Sequence, residues 1–164
     1  MKQERMKEIL EILQRDGRTT PQQISTMTGL PLAKVKKAIR DAEQDGTIVR
    51  YKAVINWEKF KDDVVWALIE VKIQPQREVG FDAVAERIYR FPQARSVYLV
   101  SGTYDLAVLV MGRTMHEVAD FVAQKLAPLE GVQSTVTHFG LKRFKEDGEI
   151  LVSKEESDRL PVIL

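Results

Sequence analysis

The sequence predicts an α+β fold in two parts: an N-terminal helix-turn-helix domain, winged-helix-like, followed by a ferredoxin-like βαββαβ domain. Three observations predict it. Residues 1–46 carry three short runs of helical periodicity, the second and third separated by a Thr28-Gly29-Leu30 turn. Residues 63–147 alternate strand-like apolar runs with two amphipathic helical runs, in the order β-α-β-β-α-β. Charge is also uneven: residues 1–52 hold 11 Lys+Arg against 7 Asp+Glu, while the remainder holds 14 against 17. A basic front on a slightly acidic back points to an anionic partner at the front.

The first helix is "ERMKEILEILQRDGR", with Met6, Ile9, Leu10 and Leu13 on one stripe and a stop near Asp16-Gly17. In "TTPQQISTMTGL", Thr20 is the N-cap, Pro21 takes the first helical position and Gln23 completes a capping box. Ile24 and Met27 are expected to face inward, and Gly29 permits a sharp reversal. "PLAKVKKAIRDAEQDG" forms the third helix, with Val35, Ala38, Ile39 and Ala42 buried and Gly46 ending it. Lys34, Lys36, Lys37 and Arg40 lie off that stripe, while Asp41, Glu43 and Asp45 are held to the far end. A recognition helix leads into the major groove with its N-terminal half, so cations there suit phosphates and base edges of double-stranded DNA. Residues 47–62, from "TIVRYKAVINWEKF", have no Gly/Ser flexibility and read as a structured strand or arm.

In the back part, "DDVVWALIEVKIQP" is a strand ending at Pro75. "GFDAVAERIYRFP" is a helix with Val84, Ala85, Ile88 and Phe91 inward. "ARSVYLVSG" and "YDLAVLVMG" are strands joined by the polar knot Ser101-Gly102-Thr103-Tyr104-Asp105. "TMHEVADFVAQKLAPLEG" is the second helix and "VQSTVTHFGLKRFK" the last strand. Residues 148–164 form a C-terminal tail, disordered by default or else docked on a neighbouring subunit. In such a fold the helices cover one sheet face, and the other should be polar at alternate positions. Here Leu106, Val108 and Val110 alternate with Ala107, Leu109 and Met111, and Val65, Ala67, Ile69 and Val71 alternate with Trp66 and Leu68. Both faces are expected to be buried. The N-terminal helices need their own apolar faces, so a second copy is the expected cover, giving a homodimer.

Composition narrows the function. The apolar and charged fractions, 44% and 30%, are those of an ordinary globular protein of 164 residues. Without cysteine there is neither a disulfide nor a thiolate metal site. No run approaches the roughly 20 apolar residues of a membrane span, and no apolar leader opens the chain, so a cytoplasmic location is expected. The two histidines have no nucleophile, metal-ligand spacing or phosphate loop beside them. His116 reads as a surface or capping residue and His138 as half-buried beside Phe139. The chain is expected to be no enzyme and to hold no cofactor or metal.

Order and spacing across about residues 5–147 resemble the Lrp/AsnC (feast/famine) transcription regulators. The likeness rests on "ILEILQRDGR", "MTGL", Gly46, Ile48, Tyr51 and Ala53, then "SGTYD" and "LEGVQSTVTHFGLK". It departs where Pro31 replaces the family's usual serine cap, and where the recognition helix is rich in lysine and alanine. The resemblance implies a regulator that dimerises through the back domain, often assembles into octamers, and senses an amino acid or related small metabolite near the second-to-third-strand loop. On that reading Gly102 lets backbone N–H groups approach a ligand carboxylate. Asp105 pairs with its ammonium, Thr103 and Tyr104 fill the variable places, and Thr135 and Thr137 complete the wall. The alternative reading of the knot is a plain hairpin turn whose aspartate bonds backbone N–H groups. Two other functions stay in view: a tetrapyrrole (sirohaem-type) decarboxylase, whose fold is similar, and an amino-acid-sensing module that binds no DNA.

Overall fold

The computed structural model describes residues 3–60, 64–74 and 80–152. The chain divides into two compact units, Met1–Ile55 and Asn56–Leu164. Pro75 and most of the tail, residues 153–164, lie outside the described residues. No described helix is long and apolar enough to cross a membrane.

The first unit is three helices, α1 (Gln3–Arg15), α2 (Pro21–Thr28) and α3 (Leu32–Gln44). Their apolar stripes meet in one core of Ile9, Leu13, Ile24, Val35 and Ala38, with Met6, Ile12, Leu30, Ile39 and Ile48 packed around it. The capping box forms as the spacing predicts. The Gln23 N–H donates to the Thr20 hydroxyl at 3.3 Å, and the Thr20 N–H donates to Gln23 Oε1 at 2.8 Å. Gly29 takes a positive φ of 68°, a left-handed conformation that lets the chain reverse into α3.

Two expectations fail here. Met27 is 65% exposed rather than inward. Thr28, four residues after Ile24, takes the buried place, and its hydroxyl donates to the Ile24 carbonyl at 2.7 Å, which makes a buried threonine tolerable. Of the two forms expected for the connector, strand or arm, the strand does not form. Residues 49–56 have no regular structure, and only Trp57–Phe60 forms a helical turn, α4. An extended segment becomes a strand only where a ladder receives its N–H and C=O groups, and no described strand pairs with this one.

The second unit is built on β1 (Val65–Ile73), α5 (Phe81–Tyr89), β2 (Ala94–Leu99), β3 (Leu106–Gly112), α6 (Met115–Phe121) and β4 (Val132–Phe139). The last turn of α6 widens into a π-helical stretch, Val122–Leu126. The sheet order is β2-β3-β1-β4, antiparallel throughout. Ala67, Ile69, Val71 and Ile73 of β1 and Leu106, Val108 and Val110 of β3 all face the helices, where Val84, Ile88, Val118, Phe121 and Leu126 seal them. Each fully buried Val, Leu or Ile there contributes roughly 1.5–3 kcal/mol relative to exposure. Strand β4 stops at Phe139, short of the predicted end. A small hairpin, β5 (Lys145–Glu146) and β6 (Glu149–Ile150), follows it through an Asp147-Gly148 turn with positive φ at both residues, so the start of the expected tail is ordered by pairing with β5.

Register assigns the opposite sheet face to Trp66, Leu68, Glu70 and Lys72 of β1, to Ala107, Leu109 and Met111 of β3, and to Val136 and His138 of β4. Ala107 is buried by its neighbours, Trp66, Leu68, Leu109 and Met111 are half-buried, and Val136 is exposed. This face is therefore apolar at one end and charged at the other.

Candidate functional site

Helix α3 buries Val35, Ala38 and Ala42, which forces the residues between them outward. Lys34, Lys36, Lys37 and Arg40 are all exposed on that outer side, within the first three turns. Lys34 and Lys37 lie three apart and Lys36 and Arg40 four apart, so two cationic rows run along one surface. The Lys37 ammonium donates to Asp41 Oδ2 at 2.7 Å. Pro31 precedes the helix and supplies no side-chain cap. At the far end the Tyr51 hydroxyl donates to Glu43 Oε1 at 3.0 Å, tying the segment after α3 back to the helix. Burial first, and then the Glu43 carboxylate, raise the Tyr51 hydroxyl above its usual range.

In the second unit the knot joins β2 to β3, and its aspartate is tied into the sheet. The Asp105 N–H donates to the Val71 carbonyl at 3.0 Å, and the Val100 N–H donates to the Asp105 carbonyl at 2.9 Å. Asp105 Oδ2 accepts the Ile73 N–H at 2.8 Å, and Oδ1 accepts the Lys72 ammonium at 3.2 Å. The Ile73 N–H, followed by Lys72, holds the Asp105 carboxyl below the usual carboxylate range against the opposing effect of burial. Gly102 has a φ of 152°, which favours glycine, and the space where a Cβ would stand is open. Thr103 is exposed and Tyr104 half-buried.

Thr135 and Thr137 lie on β4 opposite Val71 and Ile69, and are therefore on the helix-facing side of the sheet. Thr135 shares the end of the sheet that holds Asp105, since Val71 pairs with both Leu106 and Thr135. Thr137 sits two pairs further from the knot. Lys72 and Ile73, which engage the aspartate most closely, are absent from the sequence-based set. The signal was present: in "ALIEVKI", Glu70 and Lys72 place charge at alternate positions of an otherwise apolar strand.

His138 does not shelter beside Phe139. Alternation turns the two to opposite faces, and the exposed imidazole contacts Glu70 Oε1 at 3.1 Å on the sheet's open side. His116 lies 3.4 Å from Asp120 on α6, the element that packs on the other side of the sheet. The sheet separates the two histidines, so they do not form a joint site.

Comparison with known proteins assigns the chain. A model of the Lrp/AsnC ligand binding domain matches residues 66–150, and one of a winged helix-turn-helix DNA-binding domain matches residues 3–49. The chain is 46% identical over 160 residues to the uncharacterized HTH-type transcriptional regulator YugG of Bacillus subtilis, covering 97% of this chain and 96% of that one. It is 31% identical over 146 residues to the HTH-type transcriptional regulator FL11 of Pyrococcus furiosus, covering 89% and 93%. Among solved structures the fold is similar to the leucine response regulatory protein LrpA of Mycobacterium tuberculosis, with TM-score 0.74, 22% identity and 90% and 98% coverage. It is also similar to a transcriptional regulator of Neisseria meningitidis in complex with L-Met, with TM-score 0.70, 23% identity and 89% and 93% coverage. The chain belongs to the Lrp/AsnC family of helix-turn-helix transcriptional regulators.

Proposed function

We propose that this Lrp/AsnC regulator reads double-stranded DNA through Lys34, Lys36, Lys37 and Arg40 and answers to an amino acid held at the knot. The carrying observation is α3, whose one side is sealed by Val35, Ala38 and Ala42 while the other shows four exposed cations. Lysines on this surface attract phosphates, and Arg40 is long enough to reach a phosphate or a base edge. We place DNA reading in residues 1–46 and sensing in residues 63–147. The effector's ammonium faces Asp105 and its carboxylate the backbone beside Gly102, while Thr135 lies at the same end of the sheet but turned to its helix side. The Neisseria meningitidis regulator in complex with L-Met, and a feast or famine regulatory protein of Mycobacterium tuberculosis complexed with L-methionine, support an amino acid as the effector class.

Two copies are assigned to the working form. Trp66, Leu68, Leu109, Met111 and Val136 make the open sheet face too apolar to stand in water unpaired, and an isologous dimer places the same face against itself. Dimeric readers match two half-sites on DNA, which a single recognition helix does not.

The test is fluorescence anisotropy with DNA from immediately upstream of the coding region, against an unrelated fragment of equal length, at two salt concentrations. Tighter binding to the upstream fragment, falling steeply with salt, is the expected result. No binding at low salt overturns the DNA reading and directs attention to the absorbance spectrum of a bound tetrapyrrole.

A further inference from the structure

The knot contains a conflict between two roles of one carboxylate. Asp105 Oδ2 is committed to the Ile73 N–H at 2.8 Å, a bond made within the sheet. The other oxygen, Oδ1, already has a cation on it: the Lys72 ammonium, at 3.2 Å. Lys72 and Asp105 share the open-face side of their strands, since Val71 and Leu106 turn to the helices. The lysine side chain is 39% exposed and the aspartate 18%, so the carboxylate is the more sheltered partner. An incoming ammonium group thus meets a seat that is taken.

We propose that Lys72 is the specificity-determining residue of the effector site, an internal cation that a ligand must displace from Asp105. The inference rests on the effector reading of the knot given above. Its consequence is a charge requirement. A ligand bearing only an ammonium group would replace one cation by another and leave Lys72 unpaired beside it. A zwitterion exchanges partners: its ammonium takes Asp105 Oδ1, and its carboxylate receives the freed Lys72 together with the backbone beside Gly102. Both charges remain paired throughout. The ion pair is open to water on the lysine side, which keeps its opening cheap. Asp105 stays anchored by the Ile73 N–H, so the knot keeps its shape when the lysine leaves.

The experiment is isothermal titration of the full chain with the twenty L-amino acids, then with the methyl ester and the decarboxylated amine of each one that binds. Wild type, Lys72→Met and Lys72→Arg are compared. Wild type is expected to prefer the amino acid over its ester and amine by more than tenfold. In Lys72→Met that preference collapses by at least tenfold because the amine gains affinity, and Lys72→Arg restores it. A lysine that merely braces the loop weakens all three ligands alike and leaves the ratio unchanged; that result overturns the proposal while the effector site stands. An amino acid that binds all three proteins with one and the same preference has the same meaning. If no amino acid binds any of the three, the effector reading of the knot falls, and the role of Lys72 falls with it.

Discussion

Asp41→Asn is expected to tighten DNA binding, although the residue lies outside the cationic set. Asp41 holds Lys37 at 2.7 Å, and both side chains are largely exposed, at 52% and 75%. An exposed pair four residues apart on a helix is worth about 0.3–0.5 kcal/mol. That is the cost of freeing Lys37 for a phosphate, and it disappears when Asp41 is neutral. At about 1.4 kcal/mol per tenfold, one helix gains roughly twofold and the two helices of a dimer roughly fourfold. Removing the carboxylate's own repulsion of phosphate adds to this. The assay is anisotropy on the upstream fragment across a salt series. The control is Glu11→Gln, which breaks a comparable pair with Lys7 on α1 at 3.6 Å and makes the same change in net charge. The expected result is a gain for Asp41→Asn that exceeds the control and shrinks as salt rises. An unchanged or weaker affinity, or an equal gain in Glu11→Gln, would refute the placement of Lys37 at the DNA backbone.

Other changes test the frame that carries the two sites. Thr20→Ala removes the cap of α2 and should cost about 1 kcal/mol, read as a lower urea midpoint with unchanged slope; Thr20→Ser should recover most of it. Gly140→Ala would place a Cβ inside the indole of Trp66, which lies beneath the Arg143 guanidinium at 5.5 Å. The ring must move, at about 1–3 kcal/mol, and intrinsic fluorescence should shift with it; a variant as stable as wild type contradicts this packing. The depressed Asp105 carboxyl gives a pH signature. Its stabilisation is complete above its ordinary value of 3.8 and is lost as pH falls through the lower folded-state value. Asp105→Asn should therefore be less stable than wild type at pH 7, and the gap should close on acidification; a gap independent of pH means that the charge contributes nothing.

In the first unit, what was legible in the sequence was what local chemistry decides. Thr20, Pro21 and Gln23 form a capping box because its partners lie three residues apart, and no tertiary contact is needed to bring them together. Met27 shows the limit. Residues three and four after Ile24 both lie near the same helix face, and hydrophobicity alone favours methionine over threonine. The turn at Gly29 decides instead: Thr28 bonds the Ile24 carbonyl and its hydroxyl also accepts the Leu30 N–H, so one side chain serves both helix and turn. The strand reading of segment 47–56 failed for the opposite reason. Its alternating apolar residues have strand composition, but a strand is a relation between two segments, and composition names only one of them.

The second unit separates pattern from partnership in the same way. Period-two alternation on β1 and β3 placed Ala67, Ile69, Leu106 and Val108 on one face correctly, because every side-chain direction follows from the first. The same rule, applied one step further, would have turned His138 away from Phe139 and towards the open face with Glu70. The Asp147-Gly148 pair was likewise an available hairpin signal. The role of Asp105 is harder to read, because its partners Lys72 and Ile73 are 33 and 32 residues distant. Sequence offered two readings of the aspartate, a turn that bonds backbone N–H groups and a seat for a ligand's ammonium. The geometry divides the two readings between its oxygens. Oδ2 is occupied by a backbone N–H, though one of strand β1 rather than of the turn itself, and Oδ1 holds a lysine ammonium, the chemical group a ligand would bring. A carboxylate that has one oxygen fixed in the sheet and the other on an exchangeable cation can exchange its partner without unfolding the turn. Lys72 is therefore where the two readings separate, and Asp105 is the wrong residue to remove first.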